Sequence, residues 1–161
     1  METIAIATSP ASSEFYDDLV SAAKALVDGE TDAIANMANI SALIWQYVPD
    51  LNWAGFYRVI AGELVLGPFQ GKTACIRIAI GKGVCGTAAA SGATQRIADV
   101  HAFPGHIACD ADSRSELVIP FTKGGEVIGV LDLDSPNPDR FSQADQDGLE
   151  RLMLAISGQL G

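Results

Sequence analysis

"LVIPFTKGGEVIGVLDLDS", residues 117–135, decides the fold. Its two apolar runs meet at Gly124-Gly125, a pair suited to the positive φ angles of a tight hairpin turn. Working outward, "NWAGFYRVI" (52–60) and "ELVLGPF" (63–69) form a second predicted hairpin, turned at Ala61-Gly62. "IRIAI" (76–80) alternates but sits between two Gly-Lys segments, so its state stays open, while "QRIA" (95–98) reads as a small strand. Strands joined by tight turns run antiparallel. With helices packed on one face, they predict an α+β domain.

The helices flank these strands. Ser12 or Ser13 is the expected cap of a first helix, with Phe15, Leu19, Ala22 and Leu26 spaced at three and four residues. "DGET" (28–31) breaks it, and Thr31 is expected to cap a second helix. That helix carries Ile34, Met37, Ala38, Ile44, Trp45 and Val48 on one stripe and stops at Pro49. "GTAAASG" (86–92) suits a short helix closed by Gly92. At the end, Ser142 and Asp145 make a capping-box pattern before Leu149, Leu152, Met153, Ile156 and Leu160. No internal repeat, low-complexity tract or linker interrupts the order.

Composition excludes several classes. The 161 residues, 48% hydrophobic and 19% charged, support a packed core. A net charge of −10, with no Lys/Arg cluster, argues against nucleic acid and against an anionic membrane. No stretch reaches the ~20 apolar residues of a membrane span. "METIAIATSPASSE" has no basic residue before Lys24 and too short an apolar run for a signal peptide, so a cytoplasmic protein is expected. Three cysteines in a reducing compartment argue against a structural disulfide framework.

Two glycine motifs are decoys. "GKGVCG" (81–86) has the form G-x-G-x-x-G, yet the strands after it read as hairpins and Asp99 comes too early for a dinucleotide fold. "GPFQGKT" (67–73) is one residue short of a phosphate loop, and "ACIRIAI" follows it in place of a long helix.

The chemistry lies with Cys75, Cys85 and Cys109. "HIACDADSRSE" (106–116) surrounds Cys109 with polar and acidic residues, where a merely structural thiol would sit among apolar ones. Cys75 also falls in a loop, where function concentrates. Cys85, beside Val84 and Ala88 at a helix start, fits packing as well as chemistry, although a helix N-terminus also lowers a thiol pKa. His101, His106 and Cys109, completed by Cys75 or Cys85, offer a zinc set. With no C-x2-C or H-x3-H pair its spacing is poor, and no metal is expected.

Carboxylates supply the rest. Alternation puts Asp132 and Asp134 on one strand face with Ile128 and Val130, an apolar floor ending in an acidic rim, as at the mouth of a pocket. The turn decides whether Glu116 joins them. A Lys123-Gly124-Gly125 loop sets Glu116 opposite Asp132, whereas a Gly124-Gly125 loop sets it opposite Leu133, facing away. Three clustered carboxylates raise at least one pKa, giving a proton donor near neutral pH, and they attract an ammonium group.

At these residues the chain closely resembles the GAF-domain free methionine-(R)-sulfoxide reductases. The likeness runs from "NWAGFY" to "FSQADQDGL" and concentrates in "GPFQGKTAC", "GKGVCGTAA", "FPGHIACDADSRSE" and "GVLDLDS". It implies one GAF-like domain over 1–161, with helices at about 12–48, sheet and site loops at about 51–135 and a last helix at about 142–160. By position, Cys109 matches the catalytic cysteine, Cys75 the resolving one and Cys85 an auxiliary third. Glu116, Asp132 and Asp134 match the acidic substrate-binding residues, and Trp53 and Tyr57 would wall the methyl-sulfinyl end. The resemblance implies attack of Cys109 on the sulfoxide sulfur, a sulfenic acid, a disulfide with Cys75 and reduction by thioredoxin or a similar dithiol, with no cofactor. Asp110 and Asp112 should raise the Cys109 pKa, so activation is expected from protonation of the substrate or from nearby backbone N–H groups. A homodimer is compatible with the sequence, which leaves the oligomeric state open.

Two rival readings stand beside this one. A non-enzymatic GAF sensor would bind a small ligand, but no effector domain is expected in a chain of this length. A thiol redox switch would need the cysteines but not the acidic face.

Overall fold

The computed structural model describes residues 5–6, 8–10, 12–107 and 109–161, so the amino-terminal stretch read for a leader lies partly outside the described residues. Its sheet begins with the two hairpins read from the sequence. Trp53–Ile60 (β1) turns through Ala61 and Gly62, at φ 51° and 83°, into Glu63–Gly71 (β2). Ser115–Lys123 (β5) turns through Gly124 and Gly125, at φ 59° and 82°, into Glu126–Ser135 (β6). Positive φ at both turn residues matches the right-handed twist of the strands. Two short edge strands, Arg77–Ala79 (β3) and Gln95–Ile97 (β4), settle the segment left open and complete a six-stranded antiparallel sheet in the order β3-β2-β1-β6-β5-β4.

Three helices, Phe15–Val27 (α1), Ala33–Tyr47 (α2) and Gln143–Ile156 (a long carboxy-terminal helix), cover one face of the sheet. There Ala54 and Phe56 of β1, Leu117, Ile119 and Phe121 of β5 and Leu131 and Leu133 of β6 join their apolar residues in one core. The fourth helix, Gly83–Ser91, lies on the opposite face, where Val84, Cys85 and Ala88 pack with Trp53, Tyr57, Val118 and Val130. In chain order the short helix is α3 and the carboxy-terminal one α4. Helices on one face therefore describes α1, α2 and α4, and the face they leave free is where α3 closes a cavity.

Helix ends differ in detail from expectation. The Ser142–Asp145 capping box of α4 is present, and Gly92 ends α3 at φ 66°. Neither Ser12 nor Ser13 caps α1: Glu14 stands at the cap, and Ser12 Oγ accepts the Glu14 N–H at 3.2 Å. Asp32, not Thr31, caps α2 by accepting the Ala35 N–H at 2.9 Å. The inward face of α2 carries Asn36, Met37, Ile40, Ser41 and Ile44, while Ile34 and Trp45 are 44% and 38% exposed. Two of the inward residues are polar and escape an apolar count. Ser41 donates to the Met37 carbonyl, and Asn36 donates to the carbonyls of Glu30 and Gln159, so neither is buried without a partner.

One register detail matters for the site. The β5–β6 turn is the two-residue form, with Lys123 opposite Glu126 and Thr122 opposite Val127. Counting onward would set Glu116 against Leu133. A bulge intervenes: Phe121 pairs with Gly129, Ile128 has no opposite number, and Glu116 falls opposite Asp134. Both registers considered from the sequence are thus corrected, because a bulge adds the one residue that the turn lacks.

Candidate active site

On the α3 face the register builds a grid. Trp53, Gly55 and Tyr57 of β1 stand opposite Asp134, Asp132 and Val130 of β6, and across β6 Glu116 and Val118 of β5 stand opposite Asp134 and Asp132. Residues directly opposite in antiparallel strands share a face, so the three carboxylates and two aromatic rings converge. They line a single cavity with Cys85, Cys109, Asp110 and Ser113. The acidic side is a wall more than a rim, since Glu116 and Asp132 are 7% and 5% exposed.

Burial sets the protonation of this wall. It pushes the Glu116 carboxyl well above the usual carboxylate range, and the charges of Asp132 and Asp134 add to the effect. Burial likewise raises Asp134, with Asp132 next in importance. Asp132 is pushed up to about 6 by burial, restrained by hydrogen bonds from Glu116 and Cys85. The cluster therefore holds protons at neutral pH and presents acid O–H groups. The Cys85 thiol, 3.9 Å from Glu116 Oε1, is itself pushed up by burial and then by Asp132 and Glu116, which keeps it a thiol. One wall atom, Asp132 Oδ1, is buried with no hydrogen-bond partner among the described residues, and so can meet a ligand.

Cys109 and Cys75 form a disulfide, with Cα atoms 5.5 Å apart. The aromatic pair reaches it. Trp53 stacks between Tyr57 and Phe69, with ring centroids at 5.9 and 5.1 Å, and its Nε1 donates to the Lys72 carbonyl at 3.1 Å. The Tyr57 hydroxyl donates to the Cys75 carbonyl at 2.8 Å. The cavity walls thus also hold the backbone that carries Cys75, a role the sequence reading missed.

Asn52 was missed as well. Its Nδ2 donates to Asp110 Oδ2 at 3.2 Å and to Ser113 Oγ at 3.1 Å, tying the Cys109 loop to the start of β1. The loop is closed at its end by the Arg114 N–H on the Ser135 carbonyl, 2.8 Å. Asp110 also accepts the Asp112 N–H at 2.9 Å, and Asp112 pairs with Lys72 at 3.0 Å, so the two carboxylates expected to oppose a thiolate are both engaged by donors.

The zinc set is not assembled. Cys109 is bonded to Cys75, and the His101 and His106 rings meet edge-to-face at 6.4 Å. Among the described residues, Cys85 Sγ and oxygens of Glu116 and Asp132 lie within 4.8 Å of one another. The burial that keeps Cys85 and Glu116 protonated opposes the deprotonation a metal would require of them.

Comparison with known proteins identifies the family. The family model for the GAF domain matches residues 32–157. The free methionine-R-sulfoxide reductase of Escherichia coli is 54% identical over 143 residues, covering 89% of this chain and 87% of that one. The chain belongs to the GAF-domain free methionine-R-sulfoxide reductase family. Among solved structures, the Neisseria meningitidis member in complex with its substrate superposes with a TM-score of 0.92 at 40% identity, covering 98% of this chain and 96% of that one. The reduced form of the Staphylococcus aureus fRMsr gives 0.88 at 49% identity, covering 91% and 95%. Among the described residues, this reductase-family domain has no helix long and apolar enough to cross a membrane.

Proposed function

We propose that this protein reduces free L-methionine-(R)-sulfoxide to methionine in a reducing compartment such as the cytoplasm. The observation that carries the reading is one cavity walled by Glu116, Asp132, Asp134, Trp53 and Tyr57 and bordered by a cysteine that is disulfide-bonded to a second.

In the reduced enzyme the Cys109 thiolate attacks the sulfoxide sulfur, while a protonated acid of the Glu116–Asp134 pair gives its proton to the sulfinyl oxygen. The S–O bond of the substrate then breaks as that hydroxyl passes to Cys109: methionine leaves, and Cys109 becomes a sulfenic acid. The Cys75 thiol condenses with it, releasing water and forming the disulfide, which a dithiol such as thioredoxin reduces by exchange. Trp53 and Tyr57 wall the methyl-sulfinyl end. Cys85, held as a thiol, donates to the acid wall and leaves the nucleophilic step to Cys109.

Acid with Asp132 ionised also attracts the α-ammonium of a free amino acid, which a peptide-bound residue lacks because its nitrogen is an amide. Each charged hydrogen bond contributes about 1.5–3 kcal/mol. Measuring kcat/KM for free methionine-(R)-sulfoxide and for its N-acetyl, C-amide analogue tests this. A preference of about a hundredfold or more is expected, as ~3 kcal/mol implies; equal values would overturn recognition by the carboxylates.

A further inference from the structure

The two halves of the disulfide face different surroundings. Cys109 lines the cavity, whereas Cys75, though half-buried, does not. Beside each lies an exposed isoleucine: Ile76 next to Cys75 is 68% exposed, and Ile107, two residues before Cys109, is also exposed. Consecutive Cα atoms are ~3.8 Å apart, so the 5.5 Å Cα separation of the disulfide keeps these two isoleucines within about 17 Å. Neither side chain hangs on loose backbone. The Ile76 carbonyl accepts the Leu66 N–H at 2.9 Å, the Cys75 carbonyl accepts the Tyr57 hydroxyl, and Ile107 packs over Gly83 at the start of α3. Two nearby cations are engaged within the chain, Lys72 with Asp112 and Arg77 with Glu63, which leaves the Ile76 side chain beside Arg77 to make apolar contact.

Resting on the function proposed above, we infer that Ile76 and Ile107 form the docking patch for a dithiol protein with an apolar surface around its reactive cysteine, and that this partner attacks Cys75. The partner thiolate bonds to Cys75 Sγ and the Cys75–Cys109 bond breaks, with Cys109 leaving as a thiolate inside the cavity, in place for the next sulfoxide. The partner's second thiol, losing its proton, then attacks the partner sulfur of the mixed disulfide and releases the Cys75 thiolate. Two electrons pass to the enzyme, and the partner leaves as a disulfide. Such a patch suits a small, transient redox encounter.

The test follows reduction of the oxidised full-length protein, with no sulfoxide present, by a thioredoxin and by dithiothreitol. Ile76→Asp is compared with Leu154→Asp, which alters another exposed apolar side chain, on α4. Ile76→Asp should raise the KM for thioredoxin at least tenfold, leave the dithiothreitol rate unchanged and stay nearly insensitive to salt, while Leu154→Asp matches the unaltered protein. A thioredoxin whose second C-x-x-C cysteine is replaced by serine should be trapped on Cys75, as located by peptide mass mapping. An unchanged KM, equal losses with both reductants, no reduction by thioredoxin at all or a trapped adduct on Cys109 would each overturn the inference. Failure to form methionine would instead strike the functional reading, because this assay contains no sulfoxide.

Discussion

Cys109 and Cys75 are chemically alike, and the division of labour between them comes from position. Cys109→Ser is expected to abolish methionine formation even in a single turnover, measured with stoichiometric reduced enzyme. Cys75→Ser should keep that first turnover and lose sustained activity with thioredoxin, so multi-turnover activity in Cys109→Ser would reverse the assignment. Asn52 offers a subtler case. Asn52→Ala removes the donor to Asp110 and Ser113, and the loop carrying Cys109 loses its tie to β1. Its kcat should fall about tenfold or more with a smaller change in KM, and Asn52→Asp, which cannot donate to Asp110, should not rescue it. The placement of Cys109, Asp132 and Asp134 was legible because a polar loop around a thiol and two carboxylates on an apolar strand face are local patterns, whereas that of Glu116 hung on a bulge that neither register allowed for. Asn52 was not, since its partners lie 58 and 61 residues away and nothing in "LNWAG" marks them.

Elements fix where those side chains point. The hairpins were readable from their Ala-Gly and Gly-Gly turns, and α4 from its capping box. The α2 stripe was misread because its buried side includes Asn36 and Ser41, whose partners are backbone carbonyls. Helix α3 is seated against backbone: a Cβ on Gly86 would come 2.5 Å from the Ala79 carbonyl oxygen and 3.1 Å from the Gly81 nitrogen. Gly86→Ala should therefore push α3 off the sheet edge, lowering stability by about 1–3 kcal/mol in denaturant melts. Because the first turn of α3 lines the cavity, KM for the sulfoxide should rise with it. At α4, Ser142→Ala removes the cap and should cost ~1 kcal/mol without altering KM.

For the whole molecule, the acid wall makes stability depend on pH in a direction opposite to that of ordinary ion pairs. Glu116, Asp132 and Asp134 hold protons more tightly folded than unfolded. The folded state then carries the extra protons once pH exceeds the ordinary carboxylate range, and stability falls as pH climbs through about 6 and beyond. Asp145 works the other way. Burial raises it, but hydrogen bonds from Tyr16 and Ser142, together with the Arg140 charge, bring it below its usual value, so its contribution is lost as pH falls. Calorimetric Tm should be higher near pH 5.5 than at pH 8, and Glu116→Gln with Asp132→Asn should flatten that slope. A slope unchanged in the double variant would mean that the wall is not its source.

The unpaired Ile128 carries a further consequence, one of arithmetic. Glu116, Asp132 and Asp134 share a face only while the paired positions add to an even number, and the two-residue turn alone gives an odd one. Length changes between residues 116 and 132 are therefore expected to be tolerated in twos and not singly. Deleting Ile128 should turn Glu116 out of the cavity and remove activity. Restoring parity by adding one glycine to the Gly124-Gly125 turn should recover it, although that chain differs from the original at two places instead of one.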